Sequence, residues 1–138
     1  MAPRINHLLE TSLYVEDLGR AHRFYAEVLG LSTLLEDGRM VALELPGSAV
    51  LLLFRRGGSV RPSPTPGGLI PAHDAEGTQH LCFAVPVAAL AEWERHLDAH
   101  GVAIESRVIQ SHGGTSLYVR DPDGHSLEFA MPGLWPNY

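Results

Sequence analysis

Residues 9–15, Leu9-Glu10-Thr11-Ser12-Leu13-Tyr14-Val15, carry the reading that decides the fold. Thr11, Leu13 and Val15 fall on one side of an extended chain, and Glu10, Ser12 and Tyr14 on the other. The segment therefore reads as a strand between two different environments. Asp17 follows where a helix N-cap belongs, its carboxylate able to accept the free N–H groups of the first turn. Leu18, Ala21, Tyr25, Val28 and Leu29 recur at helical spacing, and Gly30 suits the left-handed position just past a helix end. Three short apolar-rich segments, 33–36, 40–45 and 49–55, come next, parted by the turn signals Asp37-Gly38 and Pro46-Gly47. The first half is thus strand, helix, then three strands.

The second half repeats this order. His80 to Val85 alternates as Glu10 to Val15 does, and Leu90, Trp93 and Leu97 share one helical stripe that ends at Gly101. This helix has no obvious polar N-cap. Segments 102–104, 107–110, 115–120 and 125–130 supply further strands, with Asp121-Pro122-Asp123-Gly124 a strong turn between the last two. Aligned by eye, Glu10 matches His80, Val15 matches Val85, Gly30 matches Gly101, and Leu53-Phe54 matches Glu128-Phe129. The matched order points to an internal duplication. Between the halves, residues 57–77 hold Gly57-Gly58, Pro62, Pro64, Pro66, Gly67-Gly68 and Pro71, a composition expected to lack regular hydrogen-bonded structure.

The chain has 138 residues, 45% of them hydrophobic and 19% charged, enough apolar material for a core and for one domain. The formal charge of −6 argues against nucleic acid or an anionic membrane surface as the main partner. All 10 cationic side chains are Arg; with no Lys there is no lysine Schiff base and no P-loop lysine. Cys82 is the single cysteine, so no intrachain disulfide forms and a reducing compartment is expected. No apolar run is long enough for a membrane span, and Met1-Ala2-Pro3-Arg4 lacks a signal-peptide apolar block. The expectation is a soluble, cytoplasmic, single-domain protein.

In each half, one strand face is uniformly apolar and belongs beneath the helix. The opposite face is small and mixed: Glu10, Ser12 and Tyr14; His80, Cys82 and Ala84; Ser126, Glu128 and Ala130. Small side chains leave room for a cavity. Two carboxylates and an imidazole on such faces fit a divalent metal, because a bare carboxylate in an apolar cleft is costly and a cation removes that cost. The oxygen and nitrogen donors suit Zn²⁺, Mn²⁺, Fe²⁺, Co²⁺ or Ni²⁺.

Leu13-Tyr14-Val15-Glu16-Asp17-Leu18, with Phe24-Tyr25 and Val28-Leu29-Gly30-Leu31 behind it, resembles the opening of the vicinal oxygen chelate superfamily. Tyr118-Val119-Arg120-Asp121-Pro122-Asp123-Gly124-His125-Ser126-Leu127-Glu128 resembles its closing hairpin. The resemblance runs from Asn6 to Met131 and covers glyoxalase I, fosfomycin-modifying transferases, bleomycin-resistance proteins, extradiol dioxygenases and methylmalonyl-CoA epimerase. It implies an α+β fold of two βαβββ modules, about 6–56 and 78–131, whose mixed sheets curve around a shared cleft. Residues 57–77 form the crossover and 132–138 a tail, with Trp135 at the cleft rim or a subunit interface.

By position, the resemblance implies Glu10, His80 and Glu128 as ligands of one divalent ion. A further Glu of metal-dependent glyoxalase I falls on Leu53 here, which leaves a three-ligand site with open positions. The implied activity is glyoxalase-like: chelation of adjacent oxygens on a small-molecule substrate, with an enolate or oxyanion stabilised. Glu10, Glu128 or His73 would move the proton. Tyr14, Cys82 and Arg120 are the candidate substrate contacts. The alternatives are an extradiol-type dioxygenase and a non-catalytic, bleomycin-resistance-like sequestering protein. The family commonly forms homodimers, so Glu10 could come from one copy and His80 with Glu128 from the other, or all three from one chain; the sequence leaves both open.

The remaining histidines read as peripheral. His7 points away from Glu10 at a surface or edge, and His73 lies on an exposed loop. His112 and His125 flank the closing hairpin facing solvent, and His22, His96 and His100 are solvated on helices.

Overall fold

A computed structural model describes residues 1–138, which divide into two compact units, 1–77 and 78–138. The first unit runs β1 (Glu10–Val15), α1 (Leu18–Arg23), a π-helical turn (Phe24–Val28), β2 (Thr33–Glu36), β3 (Met40–Leu45) and β4 (Ala49–Arg55). Its sheet has the order β1-β4-β3-β2, with β1 parallel to β4 and the other pairs antiparallel. The second unit repeats this with β7 (His80–Ala84), a 3₁₀ turn (Val87–Ala89), α2 (Leu90–Ala99), β8 (Ser106–Ile109), β9 (Thr115–Arg120) and β10 (Ser126–Ala130), in the order β7-β10-β9-β8. The fold is α+β, built of two βαβββ modules.

Alternation along the strands sorts each sheet into two faces. In the first unit the register rows Leu13–Leu53–Val41 and Thr11–Leu51–Leu43 lie on one side. Leu13, Leu43, Leu51 and Leu53 are 0% exposed, as are Ala21 and Tyr25 from the helical segment. The other side carries the rows Glu10–Val50–Glu44, Ser12–Leu52–Ala42 and Tyr14–Phe54–Met40. In the second unit Leu117, Leu127 and Phe129 are buried, and Trp93 of α2 lies 4.8 Å from Phe129 between ring centroids. The opposite face there carries His80–Ser126–Arg120 and Cys82–Glu128–Tyr118.

The helices end as their glycines dictate: Gly30 and Gly101 have φ of 71° and 70°. Asp17 caps α1 by accepting from the Arg20 N–H at 2.9 Å. The helix of the second unit starts without a side-chain cap, entered instead through Pro86 and the 3₁₀ turn.

Several expectations are corrected. The 57–77 segment does hold regular structure, a hairpin of β5 (Ser63–Thr65) and β6 (Gly68–Ile70). Pro64 is tolerated because alternate pairs of an antiparallel ladder exchange no backbone bonds. Residues 102–104 are not a strand, because the Val102 N–H is committed to the Leu97 carbonyl in the helix cap. His125 is 0% exposed rather than solvent-facing: it shares the buried face of Leu127 and Phe129, and its Nδ1 accepts from the Gln79 N–H at 2.9 Å. His22 is half-buried and bonds to Thr33 Oγ1 at 2.7 Å. Trp135 is 63% exposed, while Tyr138 anchors the tail by donating to the carbonyls of Val85 and Ala130. Gly114 and Gly133 meet backbone to backbone. A Cβ on Gly114 would lie 2.5 Å from the Pro132 carbonyl oxygen, and one on Gly133 would lie 2.3 Å from the Gly114 nitrogen.

The register also corrects the alignment of the halves. Glu10 pairs with Val50 and His80 with Ser126, so the counterpart of Glu128 is Leu52, one residue before Leu53. Leu53 lies on the helix side, 0% exposed. Leu53→Ala should therefore behave as a core truncation and cost about 3 kcal/mol of stability, measured as a lowered urea midpoint. A change within error would remove Leu53 from the packed core.

Candidate functional site

Glu128 is the site's most constrained side chain. It is 3% exposed, on the face of β10 opposite α2, and it needs partners because a buried charge without them is unstable. His80, its diagonal neighbour on β7, brings Nε2 to 3.3 Å from Oε2. The Tyr118 hydroxyl bonds to the same carboxylate; burial first, then Glu128, raises its pKa. Gln110 Nε2 reaches Oε1 at 3.4 Å, the Tyr118 hydroxyl at 3.3 Å and Ser116 Oγ at 3.0 Å. The His80 ring stacks on Tyr118 with 6.3 Å between centroids.

The two nitrogens of His80 have different tasks. Nδ1 lies 3.0 Å from the Ser126 carbonyl oxygen, which can only accept, so Nδ1 carries the proton. In the neutral ring Nε2 then presents a lone pair to the lone pairs of Glu128. That pairing calls for a proton or a cation between them. The donor set thus fits a divalent metal, which one imidazole and one carboxylate would help hold. No three His, Cys, Asp or Glu side chains of the chain come together into a metal-holding group.

Cys82 shares the exposed face of β7 with His80 and hydrogen-bonds Glu128 through its thiol. Burial and the neighbouring carboxylate push its pKa up to about 12. It is a protonated thiol donor at neutral pH.

The first unit contributes a chamber of about 390 Å³ over the face of β1, β3 and β4 that points away from α1. Glu10, Ser12 and Tyr14 from β1, Leu52 and Phe54 from β4, and Met40 from β3 line it. His73 closes one side. Far from being an exposed loop residue, it is half-buried: its ring stands edge-on to Phe54 at 4.5 Å, and its Nδ1 lies 2.6 Å from the Tyr14 hydroxyl. Burial, and then Asp74, raise the pKa of Tyr14. The phenol therefore keeps its proton, and its oxygen is hydrogen-bonded to the His73 ring at Nδ1.

Of the residues singled out from sequence, the structure brings His80, Cys82 and Glu128 together in the second unit, and Glu10, Tyr14 and His73 around one chamber in the first. Arg120 is engaged elsewhere, with Nε 2.6 Å from Glu105 and Nη1 donating to the Gly124 carbonyl. Gln110, Tyr118 and Ser59 join these residues in the structure without a mark in the sequence pattern. Alternation along 115–120 puts Tyr118 on the face of Ser116, but only the β9–β10 register sets it opposite Glu128.

Residues 4–129 match the family model of the Glyoxalase/Bleomycin resistance protein/Dioxygenase superfamily. The fold is similar to that of a lactoylglutathione lyase from Agrobacterium tumefaciens, with a TM-score of 0.88 and 34% identity, covering 97% of this chain and 99% of that one. A glyoxalase domain-containing protein of Mycosarcoma maydis is 29% identical over 130 residues, 91% of this chain and 66% of that protein. Catechol-2,3-dioxygenase of Bacillus subtilis is 29% identical over 131 residues, 88% of this chain but only 40% of the dioxygenase. The chain thus spans less than two thirds of the length of these two relatives. No helix is long and apolar enough to cross a membrane.

The raised thiol pKa has a direct consequence: thiolate emerges near pH 12. Iodoacetamide at pH 8 should alkylate Cys82 in the folded chain at least about a hundredfold more slowly than in the urea-unfolded chain, because the thiolate is the nucleophile. Glu128→Gln should speed the folded-state reaction several-fold. Equal rates in the folded and unfolded chains would show that Glu128 does not restrain the thiol.

Proposed function

The chain belongs to the Glyoxalase/Bleomycin resistance protein/Dioxygenase superfamily, and from that premise we propose that it is a small divalent-metal-dependent enzyme of glyoxalase-like chemistry. Glu10, His80 and Glu128 are the ligands in this reading. The observation that carries it is the 3.3 Å approach of His80 Nε2 to a nearly inaccessible carboxylate, with Nδ1 already spent on a carbonyl. When bound, the cation supplies positive charge to adjacent substrate oxygens and lowers the cost of an enolate or oxyanion.

The chain's own side chains do the rest. Gln110 and Tyr118 hold the Glu128 carboxylate in one orientation, which is how supporting residues tune a ligand. Tyr14 holds His73 at Nδ1, on the wall of the chamber that Glu10 also lines. His73 then serves as the group that exchanges a proton with the substrate, and Glu10 and Glu128 are the carboxylates able to share that work. Phe54, Leu52 and Met40 give the chamber an apolar floor that excludes water from a small ligand. The active form in this reading is a homodimer, consistent with Ile5, Leu8 and Leu9 standing 87%, 74% and 58% exposed. A second reading, oxygen insertion into a catechol-like ring, is favoured by the similarity to catechol-2,3-dioxygenase.

Metal binding is the decisive measurement. Titration of apo protein with Zn²⁺, Ni²⁺, Co²⁺ and Mn²⁺ in a calorimeter should show one ion per chain for at least one metal. Glu128→Gln should abolish the stoichiometric event, and Glu10→Gln or His80→Ala should weaken it at least about tenfold. Full affinity in Glu128→Gln would remove that residue from the ligand set. Oxygen uptake after anaerobic Fe²⁺ loading and addition of catechol would move the assignment to the dioxygenase reading.

A further inference from the structure

The chamber of the first unit has two electrically different ends. Glu10 lies at the start of β1, in the row of Val50 and Glu44, while Tyr14 lies four residues further on, in the row of Phe54 and Met40. Four residues of strand separate the rows by roughly 13 Å. Arg39 immediately precedes Met40 at the Tyr14 end, and Arg39 and Arg61 both line the chamber. Neither guanidinium makes an ion pair. Asp37, two residues from Arg39, accepts the backbone N–H groups of Arg39 and Met40 on Oδ1, and the Arg39 charge adds to the lowering of its pKa. The stem of Arg39 is held at Gly58, where a Cβ would come within 3.4 Å of its Cγ.

A second feature points independently to a ligand. Ser59 lines the same chamber, is 2% exposed, and its buried hydroxyl has no hydrogen-bond partner. An unanswered buried hydroxyl is unfavourable, and an oxygen of a bound molecule would answer it. The walls are suited to a ring: Tyr14 and Phe54 lie with centroids 5.9 Å apart and planes 23° apart, and His73 meets Phe54 edge-on.

We propose that this chamber takes a small aromatic carboxylate, its ring against Tyr14, Phe54 and His73 and its anionic oxygens met by Arg39, Arg61 and Ser59. This gives the substrate class of the enzyme proposed above, and its catalytic meaning rests on that reading; the selection of an anion does not. Planar guanidinium groups match a carboxylate in both charge and shape. Glu10 at the far end excludes a second carboxylate there in the absence of a cation, so the preferred ligand carries one anionic group.

The test uses the full chain in excess EDTA, titrated with benzoate and with its neutral isostere benzamide, followed by calorimetry. Benzoate should bind saturably and benzamide at least about tenfold more weakly, as expected for charge-assisted against neutral hydrogen bonds. Arg39→Gln with Arg61→Gln should erase the difference between the two, and Ser59→Ala should weaken benzoate several-fold. Equal affinities, no benzoate binding, or a double-Arg variant that still prefers benzoate would overturn the proposal. The comparison of the two ligands on the unaltered protein does not depend on any variant folding. Benzoate binding that persists in Glu128→Gln while metal binding is lost supports both readings. Benzoate binding by a chain that takes no metal supports the anion site and removes the metal-dependent enzyme.

Discussion

A carboxylate that is 3% exposed on the face of a sheet must be answered by its neighbours, and the second unit is arranged around that demand. Four side chains from two strands and one loop converge on Glu128: His80, Cys82, Tyr118 and Gln110. Three of them offer protons. The imidazole gives Nδ1 to the Ser126 carbonyl and turns Nε2 toward the carboxylate at 3.3 Å. A strand Glu is normally a solvated residue, and burying one is tolerable only where the surroundings restore what water supplied.

The two units share a plan but differ on the face turned away from the helix. Where the second unit has Glu128, the first has Leu52, with Phe54 and Ala42 beside it in one buried apolar cluster. The first unit thus provides shape and an aromatic surface, while the second provides coordinating chemistry. The faces beneath the helices are apolar in both units. Leu13 and Leu53 in one unit, and Leu127 and Phe129 in the other, pack beneath a helix that ends at a left-handed glycine. Packing beneath the helix constrains that side of each sheet more tightly than the other.

Alternation from Glu10 to Val15 and from His80 to Val85 was enough to read both first strands, because each has one dry and one mixed face. The helix ends were legible because Gly30 and Gly101 have no steric barrier to positive φ. The convergence of His80 and Glu128 was legible through the resemblance of two motifs. Register was not: aligning Leu53 with Glu128 is off by one residue, since Leu52 holds the equivalent place, and a single-residue slip exchanges the faces of a strand. His125 was misread because it follows a turn, although it keeps step with Leu127 and Phe129. Gln110 and Ser59 gave no signal in the chain. Their meaning lies in partners brought from elsewhere, or in the lack of one. The 63–70 hairpin was hidden by a proline content that a two-stranded ribbon accommodates.

The contact of Gly114 with Gly133 reaches further than its place near the tail suggests. The Gly114 carbonyl accepts from the Gln110 N–H at 2.7 Å, so the loop that presents the Gln110 carboxamide to Glu128 is pinned by two crossing backbones with no room for a methyl group. For anyone diversifying this chain by directed evolution, positions 114 and 133 are therefore closed letters. The neighbouring codons can vary only within the path those two glycines define, and a retuned centre is better sought by changing position 110 itself.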